Sequence, residues 1–209
     1  MKKSIIVFDL DGVLFDTVEI MIQEFLKEYP GVTRDMAEGF FHGNVHEERE
    51  RIAHLKKEET EEEEEERKRA YTIRKTEAQM FPKMKELLQE LYTKGYVLVT
   101  NTSASERNCT PLFERWGLQT LFDFHATTEL SKSKVEKFKI IAERYDCHPR
   151  ELIFVTDTIG DIREADIAGV PTVAVTWGAH DRNDFNQEPH KNVVAIVDSV
   201  EELQRALGV

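Results

Sequence analysis

Apolar residues along this chain follow two rhythms. Short unbroken runs rich in β-favouring residues read as strands buried on both faces: Ile5-Ile6-Val7-Phe8, 96–100 (YVLVT), 122–126, 152–156 (LIFVT), 172–176 and 193–197. Between them, apolar positions recur every three or four residues, as on an amphipathic helix. Val18, Met21, Ile22, Phe25, Leu26 and Tyr29 make one such set; Met84, Leu87, Leu88, Leu91 and Tyr92 make another. Leu112, Phe113 and Trp116 mark a third helix, and Phe138, Ile140 and Ile141 a fourth. Pairs at capping-box spacing predict where helices begin: Asp16 with Glu19, Ser103 with Glu106, Ser133 with Glu136, Ser199 with Glu202. Pro30-Gly31, Gly95, Gly117 and Gly169 predict where they stop. Strands alternating with helices in this way predict an α/β fold built on a doubly wound, mostly parallel sheet.

The alternation is interrupted once. Residues 16–80 are helical in pattern and poor in strand residues, too long for a single crossover. They predict a small helical cap inserted into a core made of residues 1–15 and 81–209, placed beside the strand-edge crevice. Met36, Phe40 and Phe41 mark a second short helix in the insertion, with Ile52 and Leu55 the apolar contacts of a third. From there to Ala70 no residue is apolar. The segment KKEETEEEEEERKRA has good helix propensity but no face to bury, which predicts a solvated helical arm or partly disordered tip over 56–69.

Composition narrows the partners. Forty acids against 28 bases leave a formal net charge of −12 in 209 residues, which disfavours nucleic acid or an anionic membrane as main partner. An anionic small substrate would then need local bases or a metal. Two cysteines, Cys109 and Cys147, make no disulfide framework and suit a reducing compartment. The first apolar run is cut by Asp9 far below signal-peptide or membrane-span length, so the chain reads as cytoplasmic.

That run also delivers the candidate chemistry. Asp9 and Asp11 leave the C-terminal end of the first strand at i and i+2, on one side of extended backbone, and Gly12 allows the turn. An Asp-Gly turn after a core strand is the plain alternative, but other strand ends answer the pair. Thr100 and Asn101 end the second strand, Asp157 ends the fourth, and Asp161 follows one helical turn on. Lys132 and Lys134 sit at the start of the helix preceding the Asp157 strand; the capping box puts Lys134 at the first helical position, which favours it without removing Lys132. Carboxylates, a hydroxyl and a lysine are what phosphoryl transfer through an aspartyl-phosphate requires. An oxygen-seeking Mg2+ would shield the acids from the phosphate. His42 and His46, at i and i+4, make half a metal site with no further matched ligand, so they read as packing or surface. Trp177-Gly178 reads as packing and a turn.

These motifs resemble the haloacid dehalogenase superfamily, specifically its phosphatases with a helical cap after the first strand. FDLDGVLFDT is similar to the first motif, VTNTS to the second and FVTDTIGDIREA to the fourth, and GYVLVTNTSASERNCTPLFERWGL resembles the phosphoglycolate-phosphatase branch. The resemblance implies a Rossmann-like core, with Asp9 as nucleophile and Asp11 as acid/base. It implies Mg2+ held by Asp9, the Asp11 backbone carbonyl and Asp157, with Asp161 assisting. Thr100, Asn101 and one of the two lysines would bind phosphate. Dehalogenases of the superfamily lack the second aspartate, so Asp11 points to phosphate chemistry. Three places depart from the pattern: SKSK where Lys-Pro is common, Thr156 where glycine is, and Gly160 where asparagine is frequent. The expected activity is Mg2+-dependent hydrolysis of a small phosphate monoester. A phosphomutase of the β-phosphoglucomutase kind shares every core motif, and a non-catalytic regulatory protein of the same fold is the further alternative.

Overall fold

The computed structural model of the chain describes residues 4–187 and 189–209. In chain order its elements are β1 (Ile5–Phe8), helices α1 (Val18–Glu28), α2 (Arg34–Gly39), α3 (Val45–Arg51), α4 (Glu61–Thr76) and α5 (Met84–Thr93), then β2 (Val97–Asn101), α6 (Glu106–Trp116) and β3 (Phe122–Ala126). There follow α7 (Lys134–Arg144), β4 (Leu152–Thr156), α8 (Ile159–Ala168), β5 (Thr172–Val175), the short α9 (Arg182–Phe185), β6 (Val193–Val197) and α10 (Val200–Ala206). The six strands form one parallel sheet in the order β3-β2-β1-β4-β5-β6. Strand order therefore reverses at β1, and the crevice at its C-terminal end is where such sheets hold ligands.

Side chains of β1 alternate between two apolar layers. Ile6 and Phe8 pack with Leu98 against Leu87 and Leu91 of α5, Leu112 of α6 and Leu203 of α10. Ile5 and Val7 pack with Val99 and Phe154 against Phe138 and Ile141 of α7 and Ala165 of α8. The sheet is covered on both faces, as its continuous apolar runs require. Among the described residues no helix is long and apolar enough to cross a membrane.

Two expected helix starts move. The first helix begins after Thr17, not Asp16, and Thr17 makes no side-chain cap; its hydroxyl donates to Asp11 Oδ1. Ser103 does not cap α6; the Glu106 amide is met by both oxygens of Glu129 at 3.1 Å. An anion from the next loop thus replaces the local cap at the positive helix end. The Ser133 and Ser199 caps form as the spacing predicts.

Residues 18–76 contain only helices and turns, with an apolar cluster of their own around Ile22, Phe25, Tyr29, Phe40, Phe41 and Ile52. Of the two expectations for 56–69, the solvated helical arm is the one that forms, with no residue of that segment fully buried. Thr60 and Glu63 form a capping box and residues 61–76 run as one helix. Its inner face carries charge in place of apolar residues. Arg67 donates to Glu24 Oε1 at 2.5 Å and Glu59 Oε2 at 3.0 Å, and Arg74 donates to Glu24 Oε2 at 2.6 Å. Glu24 is 3% exposed. Charges can be buried when paired and hydrogen-bonded, and apolar periodicity does not register them.

Candidate active site

Asp9 stays in the sheet through its amide, which donates to Val155 O at 2.9 Å, and so leaves β1 with its side chain fixed over the crevice. Its Oδ1 accepts from the Leu10 amide at 2.7 Å, and its Oδ2 lies 2.9 Å from Lys134 Nζ. Lys134, the first residue of α7 and 1% exposed, also reaches Asp161 Oδ2 at 2.6 Å. Asp161 accepts a second bond at 2.6 Å from the Thr156 hydroxyl, so the residue standing where glycine is common holds a carboxylate. Burial raises the Asp9 carboxyl well above the usual range; Lys134 opposes this, while Asp161 and Asp157 push the same way. For Asp161, Lys134 and the hydrogen bonds outweigh burial and its pKa falls. Burial would depress the Lys134 ammonium, but Asp161 and Asp9 outweigh it and keep it protonated.

Asp157, at the end of β4, accepts from the Ala179 amide at 2.7 Å through Oδ2. Its Oδ1 is buried without a hydrogen-bond partner. A Cβ on Gly12 or Gly178 would overlap the Asp157 carboxylate, so two glycines cradle it; Gly12 also needs its φ of +71°. Burial, helped by Asp161 and opposed by the Ala179 amide and Lys134, pushes Asp157 up to about 7.

Asp11 turns toward the insertion. Its Oδ1 accepts from the Thr17 hydroxyl at 2.6 Å and its Oδ2 from Lys75 Nζ at 2.7 Å. Lys75, in the last turn of α4, is buried, and the Asp11 charge more than offsets the desolvation of its ammonium.

Of the other expected residues, Lys132 is not brought in: it is exposed and paired with Glu50 at 2.9 Å. The Thr100 hydroxyl pairs with His125 Nδ1 at 3.2 Å, and no bond links it to the carboxylates. Asn101 is buried and donates to the Lys134 carbonyl at 3.2 Å, holding the lysine's backbone. His42 and His46 diverge. His42 packs edge-on against His180, while His46 shares a hydrogen bond with Thr128 at 3.1 Å and burial lowers its pKa to about 4. Trp177 donates to Val13 O at 3.2 Å, as a packing residue would. Burial pushes the Cys109 thiol up to about 12, a structural cysteine.

Several site residues escaped the sequence reading. Lys75 stands 64 residues from Asp11, with no local pattern to join them. Glu164, three residues beyond Asp161, shares its helix face, and that spacing was an available signal. With Asp9, Asp11, Lys134, Asp157 and Asp161 it lines a cavity of about 40 Å³ roofed by Phe40, Phe41, Gly43 and Val45 of the insertion. A larger cavity, about 250 Å³, opens beyond Asp11 between Phe25, His46, Arg49, Tyr71, Lys75 and Arg107. Gly160 now has a physical reason: a Cβ there would overlap the Gly43 carbonyl oxygen, which rests on its Cα.

The donor set fits a divalent cation. Asp9, Asp157 and Asp161 put three buried carboxylates beside one ammonium, Lys134, which leaves two negative charges uncompensated when all are ionised. Burial first, and the neighbouring carboxylates after it, raise Asp9 and Asp157, and Asp157 Oδ1 is buried with no hydrogen-bond partner, a lone pair open to a cation. Among the described residues no group of three His, Cys, Asp or Glu side chains is disposed to hold a metal ion by itself, so part of any coordination shell would come from backbone, water or substrate.

A family model described as haloacid dehalogenase-like hydrolase matches residues 6–175. The tyrosine-protein kinase PtkA of Mycobacterium tuberculosis is 27% identical over 215 residues, covering 100% of this chain and 74% of that protein. The phosphoglycolate phosphatase of Synechococcus elongatus is 31% identical over 104 residues, 50% of this chain and 49% of that enzyme. The crystal structure of a predicted phosphatase from Clostridium acetobutylicum matches with a TM-score of 0.77 at 20% identity, over 99% of both chains.

Proposed function

Because the chain belongs to the haloacid dehalogenase-like hydrolases and is a hydrolase of the phosphatase type, we propose that it cleaves a small phosphate monoester with Mg2+, through an aspartyl-phosphate on Asp9. The observation that carries this reading is Lys134 Nζ set between Asp9 and Asp161 under a roof supplied by the insertion. Residues 16–80 act as the cap that selects the substrate, and the enzyme works in the cytoplasm.

An Asp9 carboxylate oxygen attacks phosphorus, the bond to the leaving oxygen breaks, and protonated Asp11 gives that oxygen its proton. Asp11 then takes a proton from water, which attacks phosphorus and breaks the bond to Asp9, releasing inorganic phosphate. Thr17 and Lys75, both of the insertion, hold the Asp11 carboxyl in place. Lys134 balances phosphoryl charge, and Asn101 fixes its backbone. Asp9, Asp157 and the Asp11 backbone carbonyl would hold Mg2+, with Asp161 assisting. The cation would supply charge shielding that lets Asp9 act as an anion.

Phosphate release from sugar phosphates, phosphoglycolate, nucleotides and phosphotyrosine, with Mg2+ and with chelator, tests the reading. Turnover is expected only with Mg2+, and Asp9→Asn is expected to lower it at least about 10⁴-fold. Metal-independent turnover, or turnover surviving Asp9→Asn in protein free of deamidation, would overturn the assignment.

The metal has its own signature. Asp157 has its folded pKa raised from 3.8 to about 7, so the metal-free folded state binds the extra proton. Its contribution to stability is present at low pH and lost as pH rises through about 7. A cation bound to the carboxylate competes with that proton. Mg2+ is therefore expected to raise Tm more at pH 8 than at pH 5.5, read by calorimetry. An equal rise at both pH values would count against Asp157 as a ligand.

A further inference from the structure

Glu164 lies on α8 one turn beyond Asp161, and the reaction scheme leaves it without a role. Its Oε1 accepts from the Lys134 amide at 2.8 Å and from the Ser133 hydroxyl at 3.3 Å. Its Oε2 accepts from the side-chain amide of Asn44 at 3.1 Å. Asn44 belongs to the insertion and has no freedom in how it faces Glu164. Its Oδ1 caps α3 by accepting from the His46 and Glu47 amides at 2.9 and 3.3 Å, so only its Nδ2 can point outward. That nitrogen also donates to Lys132 O at 3.1 Å. The surrounding contacts seat the same turn of the insertion on α8. The Gly43 carbonyl rests on Gly160, and Arg163 donates to His42 O at 2.5 Å.

We propose that Glu164 is a positioning residue that couples seating of the helical insertion on the core to placement of Lys134. The inference rests on the reading of Lys134 as the phosphate-binding cation. One carboxylate spans the seam: one oxygen fixes the backbone of the lysine whose Nζ meets Asp9 and Asp161, the other is held by Asn44. When the turn at Asn44 lifts, Oε2 passes to water and the carboxylate can rotate away from the Lys134 amide. The positive end of α7 then loses its bound anion and the lysine its fixed starting point. The turn that roofs the cavity and the cation that meets the phosphoryl group are thus set together.

The asymmetry of the contact gives a swap test. Asn44→Asp keeps a good helix cap but faces Glu164 with a second carboxylate. Glu164→Gln keeps a carbonyl oxygen for the Lys134 amide but sets its NH2 against that of Asn44. Together the two substitutions restore the contact between positions 44 and 164 with donor and acceptor exchanged, while the Lys132 carbonyl loses its donor in Asn44→Asp and in the double variant alike. With para-nitrophenyl phosphate and Mg2+, each single variant is expected to lose about tenfold or more in kcat/KM, and the double variant to recover at least about threefold over Asn44→Asp. Amide hydrogen exchange over residues 131–136 is expected to quicken in Asn44→Asp and to slow again in the double variant. Additive losses in the double variant, or exchange at 131–136 that ignores Asn44, would overturn the coupling. If wild type does not turn over the probe, the exchange measurement alone decides the coupling, and the phosphatase reading stands or falls separately on the substrate panel.

Discussion

Lys134→Met is expected to lower kcat by about 10²–10³-fold and to destabilise the metal-free protein by roughly 3–5 kcal/mol at pH 8. Methionine keeps the buried stem, so packing changes little and the loss is that of the charge. The ammonium is 1% exposed and stands between Asp9 and Asp161, 2.9 and 2.6 Å away. Removing it takes away the one ion-pair partner that Asp9 and Asp161 have among the described residues, and the buried Lys137 ammonium donates instead to Thr102 O at 2.6 Å. Carboxyls in that position answer by taking up protons, so the destabilisation shrinks as pH falls. Mg2+ should recover much of the stability, because it supplies the missing charge to the same acids, but not the rate. Denaturant midpoints at pH 5.5 and 8, in chelator and in Mg2+, separate the two effects. A variant equally stable at both pH values without metal would mean that the carboxylates do not share Lys134 as their counter-charge.

What the sequence made legible follows from where the information lies. Strands buried on both faces appear as unbroken apolar runs, and an aspartate ending such a run must lie at the sheet edge. Asp9 and Asp157 were placed by that alone, and β1, β3, β4 and β6 were bounded to the residue. Side-chain parity was available and carried more than was drawn from it. Thr100 is in register with Phe8 and shares its face, which turns the hydroxyl toward His125 on β3. Asn101, one residue on, is the one that reaches Lys134. Lysines 132 and 134 lie on either side of a helix start, and only the fold shows one buried against Asp9 and the other on Glu50. Lys75 and Asn44 meet their partners, Asp11 and Glu164, across 64 and 120 residues of chain, through single polar contacts with no period. The acidic segment reads as solvated helix and forms one; what left no signal is how it is seated. Hydrophobic periodicity detects faces that bury carbon, and α4 meets α1 through Arg67 and Arg74 on the buried Glu24.

That charged face gives the second large effect. Glu24→Ala is expected to release α4 from α1 while the sheet stays folded. Glu24 binds Arg67 and Arg74 through separate oxygens, and Arg67 Nη2 and Arg74 Nε are already buried without a hydrogen bond. Deleting the carboxylate leaves Arg74 without its ion pair and leaves Arg67 to Glu59 and a longer contact with Glu28 at 3.6 Å, a loss of roughly 3 kcal/mol. The only buried residue of α4 is Lys75, so no apolar face holds the helix once the pairs break. The loss therefore falls on the local opening of 61–76 more than on global unfolding. Hydrogen exchange should rise across α4 and stay low in β1, β2 and β4. Because Lys75 travels with α4, Asp11 loses its cation, and activity should fall about tenfold or more although no core residue has changed. Glu24→Gln should fall between, since it keeps one acceptor oxygen and loses the charge. If α4 stays protected in Glu24→Ala, the ion pairs do not fasten the helix, and its contacts with α6 — Thr72 to Asn108 at 2.7 Å and Arg107 to Glu65 at 2.6 Å — carry it instead.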